Sequence, residues 1–143
     1  MKKDLIFELV TALLVLLFLY TGLSKLLAFE SFTLSMRFQH MPGWITTPMI
    51  YLLPLAEIVI ALLMIRNGSR VIGLCAFLIL MAGFTLYVGA ILLHLFPIAP
   101  CACGGVIKSL GWGPHFMFNL LFVGLAYVDL RYYKSRLLPK TKK

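Results

Sequence analysis

Long runs of apolar residues, separated by short polar or glycine-rich segments, dominate the pattern of the chain. Four of these runs have about 20 residues or more, which is the length that an α-helix needs to cross a bilayer core. Each must be helical, because backbone amides in hydrocarbon have to be hydrogen-bonded within their own segment. The pattern therefore predicts four transmembrane helices, approximately over residues 5–27, 45–65, 71–96 and 112–132.

The segment between the first two runs, from Ala28 to Trp44, is longer than a turn. It mixes apolar side chains with Glu30 and Arg37, which favours a short helix lying along the membrane surface, and a Pro-Gly pair at residues 42–43 ends it. The first run is too long for the apolar part of a cleaved signal peptide, so we interpret it as a retained span. Residues 1–143 are expected to form one domain, an all-α membrane protein built as an antiparallel four-helix bundle.

Composition supports this interpretation and excludes a soluble enzyme. The 143 residues are 62% apolar and 13% charged, and the mean hydropathy is +0.98. Soluble domains are nearer half apolar and a quarter charged. The net charge of +8 is concentrated at the ends of the apolar runs rather than on one face, so it predicts membrane topology and no nucleic-acid partner.

Lysine and arginine residues are distributed unequally between the two sides. Ten of the 13 fall at the N-terminus, in the turn at residues 66–70, or at the C-terminus. Cytoplasmic segments carry the excess of positive charge, so both termini are predicted to be cytoplasmic. The non-cytoplasmic side then carries Lys25, Arg37 and Lys108. Lys25 lies close to the outer boundary, where we expect it to extend to the surface as an anchor.

Two cysteines one residue apart, Cys101 and Cys103, are the strongest chemical signal in the chain. Such a pair can close a small, strained disulfide, and strained, exposed disulfides are the more oxidising and labile ones. A ring this small removes little chain entropy, which makes a purely structural role less attractive. The pattern favours a redox-active pair, with metal binding or a static disulfide as alternatives. Cys75, alone in an apolar helix, is interpreted as a small core residue.

The three histidines, His40, His94 and His115, all map to the outer end of the bundle. Cysteine and histidine together are zinc or copper ligands, although the spacing matches no zinc signature. His115 could instead act as a base in thiol exchange or bind a quinone carbonyl. Asn119 is one helical turn further, on the same face. Trp112 precedes both at interface level, where aromatic anchors are typical.

Glu57 lies in the middle of the second span, three residues after Pro54. An acidic residue inside the membrane is costly and is by default a candidate functional residue. It could relay protons or fix the packing of helices through hydrogen bonds. Candidate partners at a similar depth are Tyr20, Thr85, Tyr87 and Asn119.

Three motifs follow one another along the chain: Gly22–Leu27 followed by Phe29–Phe32, then Leu53–Glu57, then Cys101–Gly105 with Trp112, His115 and Asn119 behind it. The first resembles the first-helix signature of the DoxX-like membrane proteins, the second resembles their second-helix pattern, and the third resembles the MauE branch of that group. The resemblance covers nearly the whole chain and implies a four-helix, redox-associated membrane protein.

Proteins of the MauE branch are implied to help mature a periplasmic, disulfide-rich amine dehydrogenase subunit. The resemblance therefore implies a protein of the bacterial inner membrane, with its cysteine loop facing the periplasm, that forms, shuffles or transfers disulfides. The family motif is usually Cys-Gly-Cys, whereas Ala102 stands in the middle here. That difference leaves both thiols in place and stiffens the loop.

Three hypotheses follow. In the first, a membrane thiol–disulfide oxidoreductase, Cys101 and Cys103 exchange with a periplasmic thioredoxin-like or client protein, and electrons pass to or from a quinone near His115, Asn119 and Glu57. Quinone-linked disulfide generators use two cysteine pairs, whereas this chain has one. In the second, Cys101, Cys103 and His115 bind copper or zinc. In the third, a non-catalytic subunit docks a redox partner. A homo-oligomer is compatible with all three, although no decisive small-residue interface motif is present.

Overall fold

A computed structural model describes residues 2–39, 41–95 and 111–137, and within them all regular structure is helical. Four of the helices are long and apolar enough to cross a membrane. The predicted all-helical fold, with four such helices and a short helix between the first two, is confirmed. The helices are α1 (Lys2–Leu27), α2 (Phe29–Arg37), α3 (Gly43–Ile65), α4 (Arg70–Leu92) and α5 (Trp112–Leu137).

The boundaries of two helices differ from those predicted. The third span was expected to reach residue 96, but α4 ends at Leu92. His94 has a φ of 57°, in the left-handed region that residues with a β-carbon rarely adopt, so the helix cannot continue through it. At the other end of the chain α5 continues to Leu137 rather than to residue 132, through a final polar turn that includes Lys134 and Arg136.

The four long helices form a closed, antiparallel arrangement in which α1 and α4 each contact both α3 and α5. Asp4, at the start of α1, forms an ion pair with Arg136 at the end of α5. We call this end of the bundle the terminal end. The opposite end, which carries α2 and the connection from α4 to α5, is called the loop end.

The outer surface of the bundle is apolar. Ile79 is 76% exposed and Leu86 is 75% exposed, and both belong to a helix of spanning length. Such a surface is suited to lipid rather than to water. Because lipid tails are as apolar as leucine, helices in a bilayer are held together by close packing and by polar contacts instead of by hydrophobic burial.

Close packing is tightest between α3 and α4 near the terminal end. A β-carbon built on Gly73 would lie 2.7 Å from Cγ and 2.8 Å from the backbone nitrogen of Met64. Only glycine fits there, because any side chain would collide with the backbone of α3. Further into the bundle the rings of Phe18 and Phe77 pack with their centroids 4.1 Å apart, and both side chains are almost completely buried.

Polar contacts join the helices at the terminal end. Arg70 donates hydrogen bonds to Oε1 of Glu8 at 2.6 Å, to the hydroxyl of Tyr133 and to the carbonyl oxygen of Met64 at 3.1 Å. The hydroxyl of Ser69 donates to the carbonyl oxygen of Leu63 at 2.9 Å. The guanidinium of Arg70 thus ties the start of α4 to α1, α3 and α5.

A second contact at this end lies deeper in the bundle. Thr11 of α1 donates a hydrogen bond of 2.7 Å to Oδ2 of Asp129 in α5, and Asp129 is completely buried. We refer to the residues of these two contacts as the terminal-end network, which comprises Glu8, Thr11, Arg70, Asp129 and Tyr133.

Candidate functional site

A buried ion pair between α1 and α3 is the centre of the candidate site. Nζ of Lys25 lies 2.7 Å from Oε1 and 2.8 Å from Oε2 of Glu57, and the two side chains are 3% and 2% exposed. The prediction that Lys25 extends to the surface as an anchor is wrong. Lys25 was not among the expected partners of Glu57. The structure pairs the two side chains, because a buried carboxylate is strongly destabilising unless it is paired.

The pair can form because α1 and α3 approach closely beside it. A β-carbon built on Gly22 would lie 3.2 Å from the carbonyl oxygen of Pro54 and 3.4 Å from Cβ of Glu57. Lys25 is one helical turn after Gly22, on the same face of α1. The absence of a side chain at Gly22 therefore brings the ammonium group of Lys25 against the carboxylate.

The ion pair lines a cavity of about 380 Å³ at the loop end of the bundle. This volume lies within the range of small-molecule sites, which are mostly apolar with a few placed polar groups. All five helices contribute to its walls, which are largely apolar. The polar side chains that line it are Thr21, Lys25, Gln39, Glu57, Tyr87, His115 and Asn119.

His115 and Asn119 of α5 lie on one face of the helix, as their spacing indicates, and both line the cavity. Each is 3% exposed. Nδ2 of Asn119 is buried and has no hydrogen-bond partner among the residues that the structure describes. A buried donor without a partner costs about 1–3 kcal/mol, so a group that accepts its hydrogen bond would stabilise this wall of the cavity. Trp112 is half-buried and also lines the cavity.

The cavity is bounded toward α2 by a contact that sequence reasoning missed. The hydroxyl of Tyr87 in α4 donates a hydrogen bond to Oε1 of Gln39, which follows α2. Gln39 is 5% exposed. Tyr87 was a candidate partner for Glu57, but this hydrogen bond is made to Gln39 instead. The contact links the α2 segment to α4 beside the cavity.

The remaining candidate residues are the three cysteines, His40 and His94. Cys101, Cys103 and His40 lie outside the described residues. His94 is exposed beyond the end of α4, and Cys75 is half-buried in α4 and does not line the cavity. Within residues 2–39, 41–95 and 111–137, no three His, Cys, Asp or Glu side chains are grouped to hold a metal ion.

In the sequence, the cysteine pair lies between α4 and α5, and both of these helices supply cavity residues. Trp112, the first residue of α5, lines the cavity and follows Cys103 by nine positions.

Comparison with known proteins gives one match. A family model described as methylamine utilisation protein MauE matches residues 3–131. The match includes the ion pair, the cavity residues and the cysteine pair, and it leaves out Lys2 of α1 and the last turns of α5. No curated protein and no solved structure matches the chain.

Proposed function

The chain belongs to the MauE family of membrane proteins, and from that membership we propose that it is a thiol–disulfide redox protein of the membrane. Cys101 and Cys103 are its reactive pair, and the cavity at the loop end binds a quinone. The observation that carries the proposal is the buried Nδ2 of Asn119, a donor without a partner among the residues that the structure describes, in an apolar cavity that an ion pair also lines.

The exchange step needs only the pair and a client with two thiols. A client thiolate attacks one sulfur of the Cys101–Cys103 disulfide and forms a mixed disulfide, and the second client thiolate then displaces that sulfur. The client gains a disulfide, and the pair is left as two thiols that hold the two electrons. A bound quinone would accept these two electrons and two protons as the pair returns to a disulfide.

The residues of the cavity fit a quinone headgroup. Quinone oxygens accept hydrogen bonds, and the buried Nδ2 of Asn119 is a donor without a partner among the described residues. Lys25 has three N–H donors, of which two face the oxygens of Glu57. Glu57 fixes the position of the ammonium group and neutralises its charge. His115 lies one turn from Asn119 in the same wall, and the apolar side chains of the cavity would cover the quinone ring.

The distribution of positive charge supports a location for the chemistry. Among the described residues, seven of the nine Lys and Arg residues lie at the terminal end, which favours a cytoplasmic location for that end. The loop end then faces the periplasm in a bacterial inner membrane, where disulfides persist. A thioredoxin-like protein or a disulfide-containing client would meet the cysteine pair there.

The redox state of the cysteine pair tests the proposal. We would use the Cys75→Ser variant, in which Cys101 and Cys103 are the remaining cysteines, and alkylate intact membranes with a bulky thiol reagent. The pair is expected to be oxidised with excess quinone and reduced after a dithiol client or dithiothreitol is added. Renewed addition of quinone should restore the disulfide.

Asn119→Leu is the matched variant for this experiment, since it removes the amide and leaves both cysteines. Its pair should still exchange with a small disulfide but should be reoxidised more slowly by quinone.

A pair that stays in one state whatever is added would contradict the redox proposal. Bound copper or zinc that is lost on Cys→Ser substitution would then favour the metal-handling alternative with Cys101, Cys103 and His115. Unchanged function in Cys→Ser variants would favour the docking alternative.

A further inference from the structure

The wall of the cavity includes residues on the lipid-facing surface of α4. Ile79 and Gly83, one helical turn apart, both line the cavity and are both exposed. Ile79 is 76% exposed, whereas His115 and Asn119, which line the same cavity, are each 3% exposed. A cavity lined by exposed residues and by buried residues extends from the interior of the bundle to its side.

The contact between α3 and α4 explains where this opening lies. The two helices touch at Gly73, where a β-carbon would collide with Met64. Ten residues further along α4, or about 15 Å at 1.5 Å per residue, a β-carbon built on Gly83 would meet nothing within 4 Å. Met49 and Leu53 of α3 line the cavity together with Gly83. The opening is therefore bordered by α3 and α4, at a level where the exposed surface of α4 is apolar.

We infer that a long-tailed lipid quinone reaches the cavity sideways from the bilayer, through the opening at Ile79 and Gly83, and that its tail remains between α3 and α4. The inference rests on the proposed function, because it specifies the route of the proposed quinone. The opening is apolar and suits the tail, whereas the donors that suit the headgroup lie inside. Such a molecule partitions into the bilayer, so this route spares it a passage through water.

Trp112 provides a direct signal for the arrival of a quinone. The chain contains two tryptophans. Trp44 is 78% exposed, and the Trp44→Phe variant leaves Trp112 as the single tryptophan, which lines the cavity. Quinones quench tryptophan fluorescence at short range. Stopped-flow mixing of this parent variant in detergent micelles, which exchange their contents rapidly, with micelles that contain a long-tailed quinone gives both the rate and the final extent of quenching.

Gly83→Leu in the Trp44→Phe parent is the informative variant, because the new side chain enters open space within the opening. Gly124→Leu is the matched control. Gly124 is also exposed in a spanning helix, and a β-carbon there also meets nothing within 4 Å, but it does not line the cavity. We expect Gly83→Leu to slow quenching about tenfold, which is about 1.4 kcal/mol of activation free energy, with an unchanged final extent. Gly124→Leu should match the parent.

Each outcome decides the inference. Equal rates in Gly83→Leu and Gly124→Leu would overturn the lateral route and leave the quinone site in place. A smaller final extent at an unchanged rate would place Gly83 beside the bound headgroup and would also overturn the route. No quenching in the parent would contradict the quinone site itself, and the route with it. Should Gly83→Leu fail to fold, as judged by circular dichroism, Ile79→Phe narrows the same opening and must give the same slowing.

Discussion

The two ends of the bundle both bury charged side chains, but they use them differently. At the terminal end, Arg70 donates hydrogen bonds to Glu8, Tyr133 and the backbone of Met64, and so connects four helices. At the loop end, Lys25 and Glu57 pair with each other and line a cavity. The Arg70 contacts hold helices together, whereas the Lys25–Glu57 pair also presents N–H donors to the cavity.

We interpret the terminal end as the stabilising part of the bundle and the loop end as the proposed ligand site. Buried polar side chains that line a cavity lose packing contacts that a filled core would supply. Asp129 also has one oxygen without a hydrogen-bond partner among the described residues, but it does not line the cavity. An unpartnered group is a stronger pointer to a ligand when it borders a space that a ligand could fill. Variants at the two ends can test this distinction.

Lys25→Met should have the largest effect on stability. It leaves the carboxylate of Glu57 buried without its partner, and breaking a buried ion pair on one side costs about 3–5 kcal/mol. The free energy of unfolding in detergent, followed by far-ultraviolet circular dichroism, measures the loss.

The double variant Lys25→Met, Glu57→Leu is the control for that loss, since it removes both charges and keeps similar volume. Apolar replacement of a whole buried pair is often neutral or stabilising, so the double variant should be more stable than Lys25→Met alone. It should still bind quinone more weakly than the wild type. A double variant as unstable as the single one would mean that the cost of Lys25→Met does not arise from the unpaired charge.

Arg70→Met should have the next largest effect. It removes hydrogen bonds to a carboxylate, a hydroxyl and a backbone carbonyl, but Glu8 is 54% exposed, so solvent screens that ion pair and the expected loss is about 1–3 kcal/mol. The bundle should lose stability in the same unfolding assay, while quenching of Trp112 by quinone in the folded protein stays unchanged. A loss of quenching would show that the terminal-end network shapes the cavity as well, and would remove the distinction between the two ends.

Asn119→Leu should show the opposite pattern. Removal of a buried amide that lacks a partner is expected to leave stability unchanged or to raise it, because nothing in the described structure loses a bond from Nδ2. Quinone binding should weaken about tenfold, which corresponds to about 1.4 kcal/mol. Equilibrium titration of Trp112 fluorescence measures this. A clear loss of stability with unchanged binding would make Asn119 a structural residue.

Thr11→Ser should have the smallest effect. It keeps the hydroxyl that donates to Oδ2 of Asp129 and removes one buried methyl group, which costs about 1 kcal/mol. Thr21→Ser makes the corresponding change in the same helix beside the cavity, since Thr21 lines it. We expect Thr11→Ser to change stability alone, and thermal unfolding combined with quinone titration separates the two readouts.

The fold was predictable because lipid imposes a simple rule on the sequence. A segment that crosses a bilayer must be apolar and helical over a fixed length, so four runs predict four spans. The end of α4 was less predictable, because the apolar run continues past Leu92 to Phe96. The positive φ at His94 interrupts the helix earlier, and hydropathy carries no information about backbone dihedral angles.

The candidate site was predicted in part. Glu57, His115, Asn119 and Trp112 were chosen by residue type, and the structure brings all four to one cavity. Lys25 was misinterpreted, because its position near the end of the first run suggested that it reaches the surface. A search for side chains of opposite charge in adjacent spans would have identified the contact between Lys25 and Glu57, since each buried charge needs a partner. The close approach at Gly22 depends on tertiary packing, which a single sequence does not reveal.

The turn between α3 and α4 has a consequence for how the protein enters the membrane. The last carbonyl groups of a helix lack partners within it, and such groups are costly in hydrocarbon. Leu63 and Met64 receive their hydrogen bonds from Ser69 and Arg70, which the ribosome adds only after α3 is complete. We therefore expect α3 to become a finished membrane segment only together with the start of α4, so that the two helices are inserted as a hairpin rather than one after the other.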